Sequence, residues 1–172
     1  MNTAELITAF DRHTEITPEL RVLDLACGSG RNGHWFAKQG AEVTFIDRNP
    51  ESFEDLWRQF PHCQFIEWDL EQGDKPDLRP FDVVLVFNYL HRPSLPWIAK
   101  QLKPGGLLFY ETFTQEQAKF GRPSNPDFLL NQRELQHRFA KFETLHYFEG
   151  HMPGGETGML QAKAQLIARA VR

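Results

Sequence analysis

The sequence predicts an α/β fold, a Rossmann-like three-layer sandwich around a mostly parallel seven-stranded sheet with an antiparallel terminal strand. Three observations predict it. Short apolar runs alternate with amphipathic helical stretches as far as residue 112. One run, Phe81-Asp82-Val83-Val84-Leu85-Val86-Phe87, is almost wholly apolar, as a strand covered on both faces requires. The final pattern is two strand-like runs, about 142–148 and 161–171, joined by a Gly-rich stretch, which predicts a hairpin.

The elements follow in order. Leu6, Ile7 and Phe10 predict a short helix capped by Asn2 or Thr3. Arg21 to Leu25 is the first strand. The helix after it runs from about Arg31 to Gln39, burying Trp35 and Phe36, with Gly40 as its C-terminal cap. The second strand, Glu42 to Ile46, carries Asp47 at its carboxyl end. Asn49-Pro50 supplies a cap and a first-turn proline. Phe53, Leu56, Trp57 and Phe60 then predict one apolar helix face, which Pro61 ends. The third strand, about Cys63 to Glu67, leads into Trp68-Asp69-Leu70 and a polar loop. After the apolar fourth strand, Leu95, Ile98 and Leu102 mark a helix, Lys103-Pro104-Gly105-Gly106 a turn, and Leu107 to Thr112 the fifth strand. Residues 113–130 have no clear period and are long for a plain connector, which predicts a lid or substrate loop. Asn131-Gln132-Arg133-Glu134 resembles a capping box before a short helix that buries Leu135 and Phe139.

With 172 residues, 41% hydrophobic and 24% charged, the chain is expected to form one domain over 1–172. Its net charge of −4 gives no general attraction to nucleic acid or anionic membrane. The two cysteines, Cys27 and Cys63, form no disulfide framework, and the first residues contain no long apolar run. No stretch approaches the ~20 apolar residues of a membrane span. A cytoplasmic enzyme is the expectation. The seven histidines show no HExxH or paired Cys/His spacing, so no metal site is expected.

The chemistry centres on Val22-Leu23-Asp24-Leu25-Ala26-Cys27-Gly28-Ser29-Gly30 and the helix behind it. A buried strand feeds a tight glycine turn, where a side chain would block close approach of a ligand to the backbone. The helix start presents unpaired N–H groups and partial positive charge. Gly28-Ser29-Gly30-Arg31-Asn32-Gly33 also satisfies the dinucleotide pattern G-x-G-x-x-G, and a carboxylate at Asp47 suits two ribose hydroxyls in either case. A dehydrogenase would need a substrate domain, for which this length leaves no room.

VLDLACGSG, Asp47 nineteen positions after Gly28, Trp68-Asp69-Leu70, FDVVLVFNYL and LKPGGLL together resemble the successive motifs of class I S-adenosylmethionine-dependent methyltransferases, over residues 20 to 112. The short chain and NYLHRPSLP resemble the small bacterial tellurite-resistance type. The resemblance implies S-adenosylmethionine as cofactor. It implies that Ala26, Gly28, Gly30 and Asn32 form the cofactor turn and helix start, and that Asp24 faces the ammonium and sulfonium charges. Asp47 would hold the ribose, Arg48 would lie over the adenine, and Asp69 would accept the adenine amino group beside Leu70. Asn88 would stand by the methionine portion.

Methyl transfer is an in-line displacement, so alignment matters most, and a general base only where the acceptor holds its proton. His91 and Tyr110 are the catalytic candidates, with Arg92, Glu111, Tyr147 and His151 also on the acceptor side. Arg122 could meet an anionic substrate. The loop Asn88-Tyr89-Leu90-His91 departs from the Asn/Asp-Pro-Pro-aromatic loop common in nucleic-acid amino-methyltransferases, so a small-molecule acceptor is expected and nucleic acid is not. The sequence leaves open a non-catalytic S-adenosylmethionine-binding regulatory subunit and an RNA or protein methyltransferase. Oligomeric state is not legible.

Overall fold

The computed structural model describes residues 2–9, 15–155 and 157–171. Seven strands form one sheet: β1 (Arg21–Leu25), β2 (Glu42–Asp47), β3 (Gln64–Glu67), β4 (Phe81–Phe87), β5 (Leu102–Phe113), β6 (Glu143–Pro153) and β7 (Leu160–Arg169). Their order across the sheet is β3-β2-β1-β4-β5-β7-β6. The pairs from β3 to β5 are parallel, while β7 runs antiparallel to both neighbours. The predicted fold class and terminal hairpin are therefore observed.

Two cores flank the sheet, and strand alternation assigns each side chain to one of them. Helices α1 (Glu5–Thr8), α2 (Arg31–Ala37) and α3 (Glu54–Gln59) cover one face. Their Leu6, Ile7, Phe36 and Leu56 pack on Val22, Val43, Phe45 and Leu85. Helices α4 (Leu95–Lys100) and α5 (Glu134–Arg138) cover the other. There Leu95, Ile98, Leu135 and Phe139 pack on Leu23, Ile46, Val84, Val86 and Tyr110.

Several local expectations hold. Gly40 ends the turn after α2 at φ +100°, and the Ala41 N–H returns to the Phe36 carbonyl. Asn49 caps the next turn by accepting from the Glu51 N–H. The predicted capping box forms only in part: Glu134 accepts from the Asn131 N–H at 2.9 Å, but the N-cap of α5 is Arg133, at φ 57° and without a side-chain cap bond. Leu135 and Phe139 are buried.

Others need correction. Neither Asn2 nor Thr3 caps α1; Ala4 holds the N-cap position without a side-chain bond, and its N–H donates to Asn32 Oδ1. Phe10, predicted on this helix, lies outside the described residues. Trp57 is 62% exposed, because residues 50–53 form a 3-10 turn that changes phase before α3 begins. Trp35 is half-buried, and Leu102 opens β5 rather than closing α4.

Candidate active site

Strand order reverses between β1 and β4, and open α/β sheets bind ligands at that switch beyond the strand tips. A cleft of about 440 Å³ lies there. Ala26 after β1, Asp47 and Arg48 after β2, and Trp68 to Glu71 after β3 form one wall. Asn88 to Leu90 after β4, Thr112 and Phe113 of β5, and Pro123 and Phe128 of the following loop form the other.

Asp47 organises the first wall. Its Oδ2 accepts from the Gly28 N–H at 2.8 Å and its Oδ1 from the Asn49 N–H at 2.9 Å. Each oxygen keeps a second lone pair, so the carboxylate holds the turn after β1 in place and can still accept from a ligand diol. Ala26 and Gly28 adopt φ of +50° and +53°, and a Cβ at Gly28 would meet nothing within 4 Å. Asp69 closes a small turn by accepting from the Glu71 N–H. Leu70 is 4% exposed and Arg48 is exposed on the cleft rim.

Several residues assigned to the site from sequence are placed elsewhere. Asp24 alternates onto the α2 face, 3% exposed, and accepts from the Gly33 N–H at 2.8 Å. Burial pushes its carboxyl up to about 7, against the lowering from that N–H. Asn32 faces α1 through its bond to Ala4. At Gly30 a Cβ would stand 2.4 Å from Leu56 Cδ1 and 3.0 Å from Phe45 Cε1, so this glycine, at φ +69°, serves packing of α2 and α3 on the sheet. None of these three lines the cleft.

The two catalytic candidates also lie off its walls. Tyr110 has the parity of Leu108 and faces the α4–α5 core, fully buried, 6.1 Å from the Phe139 ring. Its hydroxyl donates to the Tyr89 carbonyl at 2.9 Å, and burial pushes its pKa far up. His91 Nδ1 lies 2.6 Å from Ser94 Oγ, which bonds the Leu70 carbonyl in turn. Both positions are structural contacts in this geometry.

The other acceptor-side candidates are likewise engaged. Arg92 reaches both oxygens of Glu134 at 2.7 and 2.8 Å and the carbonyls of Asp127 and Leu129. It ties the loop wall to the start of α4. Glu134, 7% exposed, is lowered to about 2, chiefly by the Arg92 bond. Tyr147 donates to Glu149 and His151 packs edge-on against Phe120, while Arg122 is engaged only through its backbone carbonyl, which accepts from Gln117, and its side chain is exposed beside Pro123 of the cleft wall. Glu111 pairs with Lys163 inside the sheet layer, both side chains 7% exposed.

Segment 113–130 is an ordered loop. Thr114 and Leu130 form a bridge at its base, with Gln115 N–H to the Leu130 carbonyl at 3.0 Å and Leu130 N–H to the Phe113 carbonyl at 2.9 Å. Sequence reasoning missed the cleft positions of Trp68, Glu71, Thr112 and Pro123. The place of the first three directly after β3 or at the end of β5 was the available signal, and Pro123 lies within the loop predicted over 113–130. Among the described residues no cluster of three His, Cys, Asp or Glu is arranged to hold a metal.

The family described as "Methyltransferase domain" matches residues 22–106, the stretch that builds β1 to the turn inside β5. Ubiquinone biosynthesis O-methyltransferase of Aliivibrio fischeri is 27% identical over 160 aligned positions, covering 74% of this chain and 68% of that protein. Malonyl-[acyl-carrier protein] O-methyltransferase of Halalkalibacterium halodurans is 29% identical over 108, covering 54% of this chain but 38% of that one. The crystal structure of TehB from Haemophilus influenzae shares the fold, with a TM-score of 0.76 and 21% identity, over 96% of this chain and 61% of that chain. The motifs in order, the sheet topology and the match of the methyltransferase domain all support a class I S-adenosylmethionine-dependent methyltransferase, with S-adenosylmethionine as cofactor.

Proposed function

We propose that this chain transfers the methyl group of S-adenosylmethionine to a small-molecule acceptor held in the cleft at the tips of β1, β2, β4 and β5. The observation that carries this reading is the two-sided cleft, with the Asp47 carboxylate on one wall and the 113–130 loop on the other. The residues fit the cofactor. Asp47 offers two free lone pairs to the ribose hydroxyls, and Arg48, Asp69 and Leu70 surround the adenine position. Ala26 and Gly28 leave backbone and open space for the amino-acid tail. The cofactor supplies a methyl group already activated on a positively charged sulfur.

The protein then supplies alignment and exclusion of water, effects worth roughly 7–11 kcal/mol in favourable cases. Pro123 and Phe128 make the 113–130 segment the wall that closes over the acceptor. Asp47, Asp69 and Glu71 outnumber Arg48 on the cleft walls, which suits a small acceptor rather than a nucleic-acid backbone. The relatives named above include an O-methyltransferase of ubiquinone biosynthesis, with which a small acceptor is consistent. Residues 1–172 act as one catalytic domain in this reading. Cys27 and Cys63 are free thiols and no helix among the described residues is long and apolar enough to cross a membrane, in keeping with work in the cytoplasm.

Calorimetry with S-adenosylmethionine, S-adenosylhomocysteine and NAD, followed by a screen for S-adenosylhomocysteine release over acceptors, tests the reading. Binding of the first two and acceptor-dependent release are expected. Binding without release from any acceptor would favour a regulatory subunit, and NAD binding alone would overturn the assignment.

A further inference from the structure

The tip of β4 carries a polarity that bears on the methyl acceptor. Asn88 sits at φ +55°, its N–H fixed to the Glu111 carbonyl at 2.8 Å, with its side chain on the cleft wall. Lys163 Nζ donates to Asn88 Oδ1 at 3.0 Å and to Glu111 Oε1 at 3.0 Å, and lies 4.8 Å from the Phe113 ring centroid. Gln165 donates to the other Glu111 oxygen at 2.8 Å. An ammonium carries donors and no acceptor, so the amide oxygen must face it. The Asn88 amide is therefore locked, with its NH2 hydrogens unpartnered among the described residues. The next acceptor along the tip, the Tyr89 carbonyl, already takes the Tyr110 hydroxyl. The Tyr89 hydroxyl is a buried donor with no partner of normal geometry among the described residues.

We infer that this tip selects an oxygen nucleophile over an amine. The inference rests on the methyltransferase reading above. A neutral amine has a single lone pair; a donor aimed at it occupies the pair that must attack, while its own N–H groups need acceptors. Here the Asn88 and Tyr89 oxygens each already take one bond, and the unpartnered side-chain group of Asn88 is a donor. A hydroxyl or oxyanion has lone pairs to spare: one accepts from Asn88 and another attacks. The carboxylates Asp47, Asp69 and Glu71 belong to β2 and the loop after β3, the adenosine side of the cleft. In the step, the acceptor oxygen forms the new bond to the methyl carbon, and the carbon–sulfur bond breaks with its electron pair passing to sulfur. A hydroxyl proton, where the acceptor still holds one, passes to water at the cleft mouth. Lys163 is a positioning residue that acts through Asn88.

The test uses the full chain with S-adenosylmethionine and a panel of single-ring acceptors made in matched hydroxyl and amine forms. Methylated products are identified by mass and site of attachment, and binding to the S-adenosylhomocysteine complex is measured in parallel. The expected result is at least a tenfold preference for the hydroxyl form in turnover or binding. Asn88→Asp keeps a partner for Lys163 but turns an acceptor toward the cleft. It is expected to shrink that preference at least tenfold, read at saturating S-adenosylmethionine so that any change in cofactor affinity does not enter. Equal use of both forms, N-methylation, no binding of either form, or an unchanged preference in Asn88→Asp would each overturn the inference. Failure of the unmodified chain to bind S-adenosylhomocysteine would instead overturn the methyltransferase reading.

Discussion

Substituting alanine separately at Gly28 and Gly30 distinguishes two roles within one glycine turn. Both sit at positive φ, +53° and +69°, so an L side chain costs about 1–2 kcal/mol at either. At Gly28 nothing lies within 4 Å of the new methyl, so that strain is the whole stability cost. At Gly30 the methyl would meet Leu56 Cδ1 at 2.4 Å and the Phe45 ring at 3.0 and 3.1 Å. The leucine methyl can rotate away, but the Phe45 ring is stacked on Phe65 at 5.0 Å with planes 7° apart. Overpacking of this kind adds about 1–3 kcal/mol. Gly30→Ala is therefore expected to lose about 2–5 kcal/mol, a fall in Tm of roughly 5–15 °C for a chain of this size. Urea unfolding of the purified variants measures this, and calorimetry with S-adenosylhomocysteine measures binding. Gly28→Ala should weaken binding at least tenfold and lose only the strain of about 1–2 kcal/mol, and folded Gly30→Ala should bind within a few-fold of the unmodified chain. A smaller stability loss at Gly30 than at Gly28, or a binding loss confined to Gly30, would refute the reasoning.

Other expected outcomes follow from the same geometry. Asp47→Ala should lower S-adenosylhomocysteine affinity at least tenfold by calorimetry, since it removes the diol acceptor and frees the Gly28 N–H. Asp24 holds its proton up to about 7 in the fold against 3.8 as its ordinary value, so the folded state binds more protons between those limits. Stability should fall as pH rises from about 4 to 7, by at most about 1.4 kcal/mol per pH unit, and Asp24→Asn should flatten that slope in denaturant titrations. Glu134 is lowered from 4.5 to about 2, so its contribution is present above pH 4.5 and is lost as pH falls from there through about 2. Arg92→Met should weaken that acid dependence and lower stability at neutral pH, measured by thermal unfolding across pH. Tyr110→Phe should cost about 1 kcal/mol from the lost bond to Tyr89 and leave S-adenosylhomocysteine affinity within about twofold.

The sequence makes strand order and strand tips legible because apolar runs and glycine turns are local signals. Asp47, Asp69, Leu70 and Asn88 reach the cleft because each ends a strand or follows one within three residues. Tyr110 and Asp24 lie inside strands, where parity decides between cleft, core and helix face, and parity requires a register that the chain alone does not state. His91 is drawn to Ser94 by a turn three residues long. Gly30 shows a different limit: its neighbours Leu56 and Phe45 come from other elements, so a packing glycine and a ligand glycine look alike in sequence. The Lys163 contact to Asn88 spans 75 positions and leaves no local trace.

The bridge between Thr114 and Leu130 makes the intervening stretch an excursion that starts and finishes at one point on the sheet. Lengthening it costs little, because closure entropy grows only with the logarithm of length, about 0.6 kcal/mol per doubling. A different insert could therefore be carried between these two residues while the strands beneath, and the turn that Asp47 steadies, keep their places. The part of the cleft wall that carries Pro123 and Phe128 is thus a module that can diverge on its own, and a graft with ends cut at Thr114 and Leu130 is the natural unit for exchanging it.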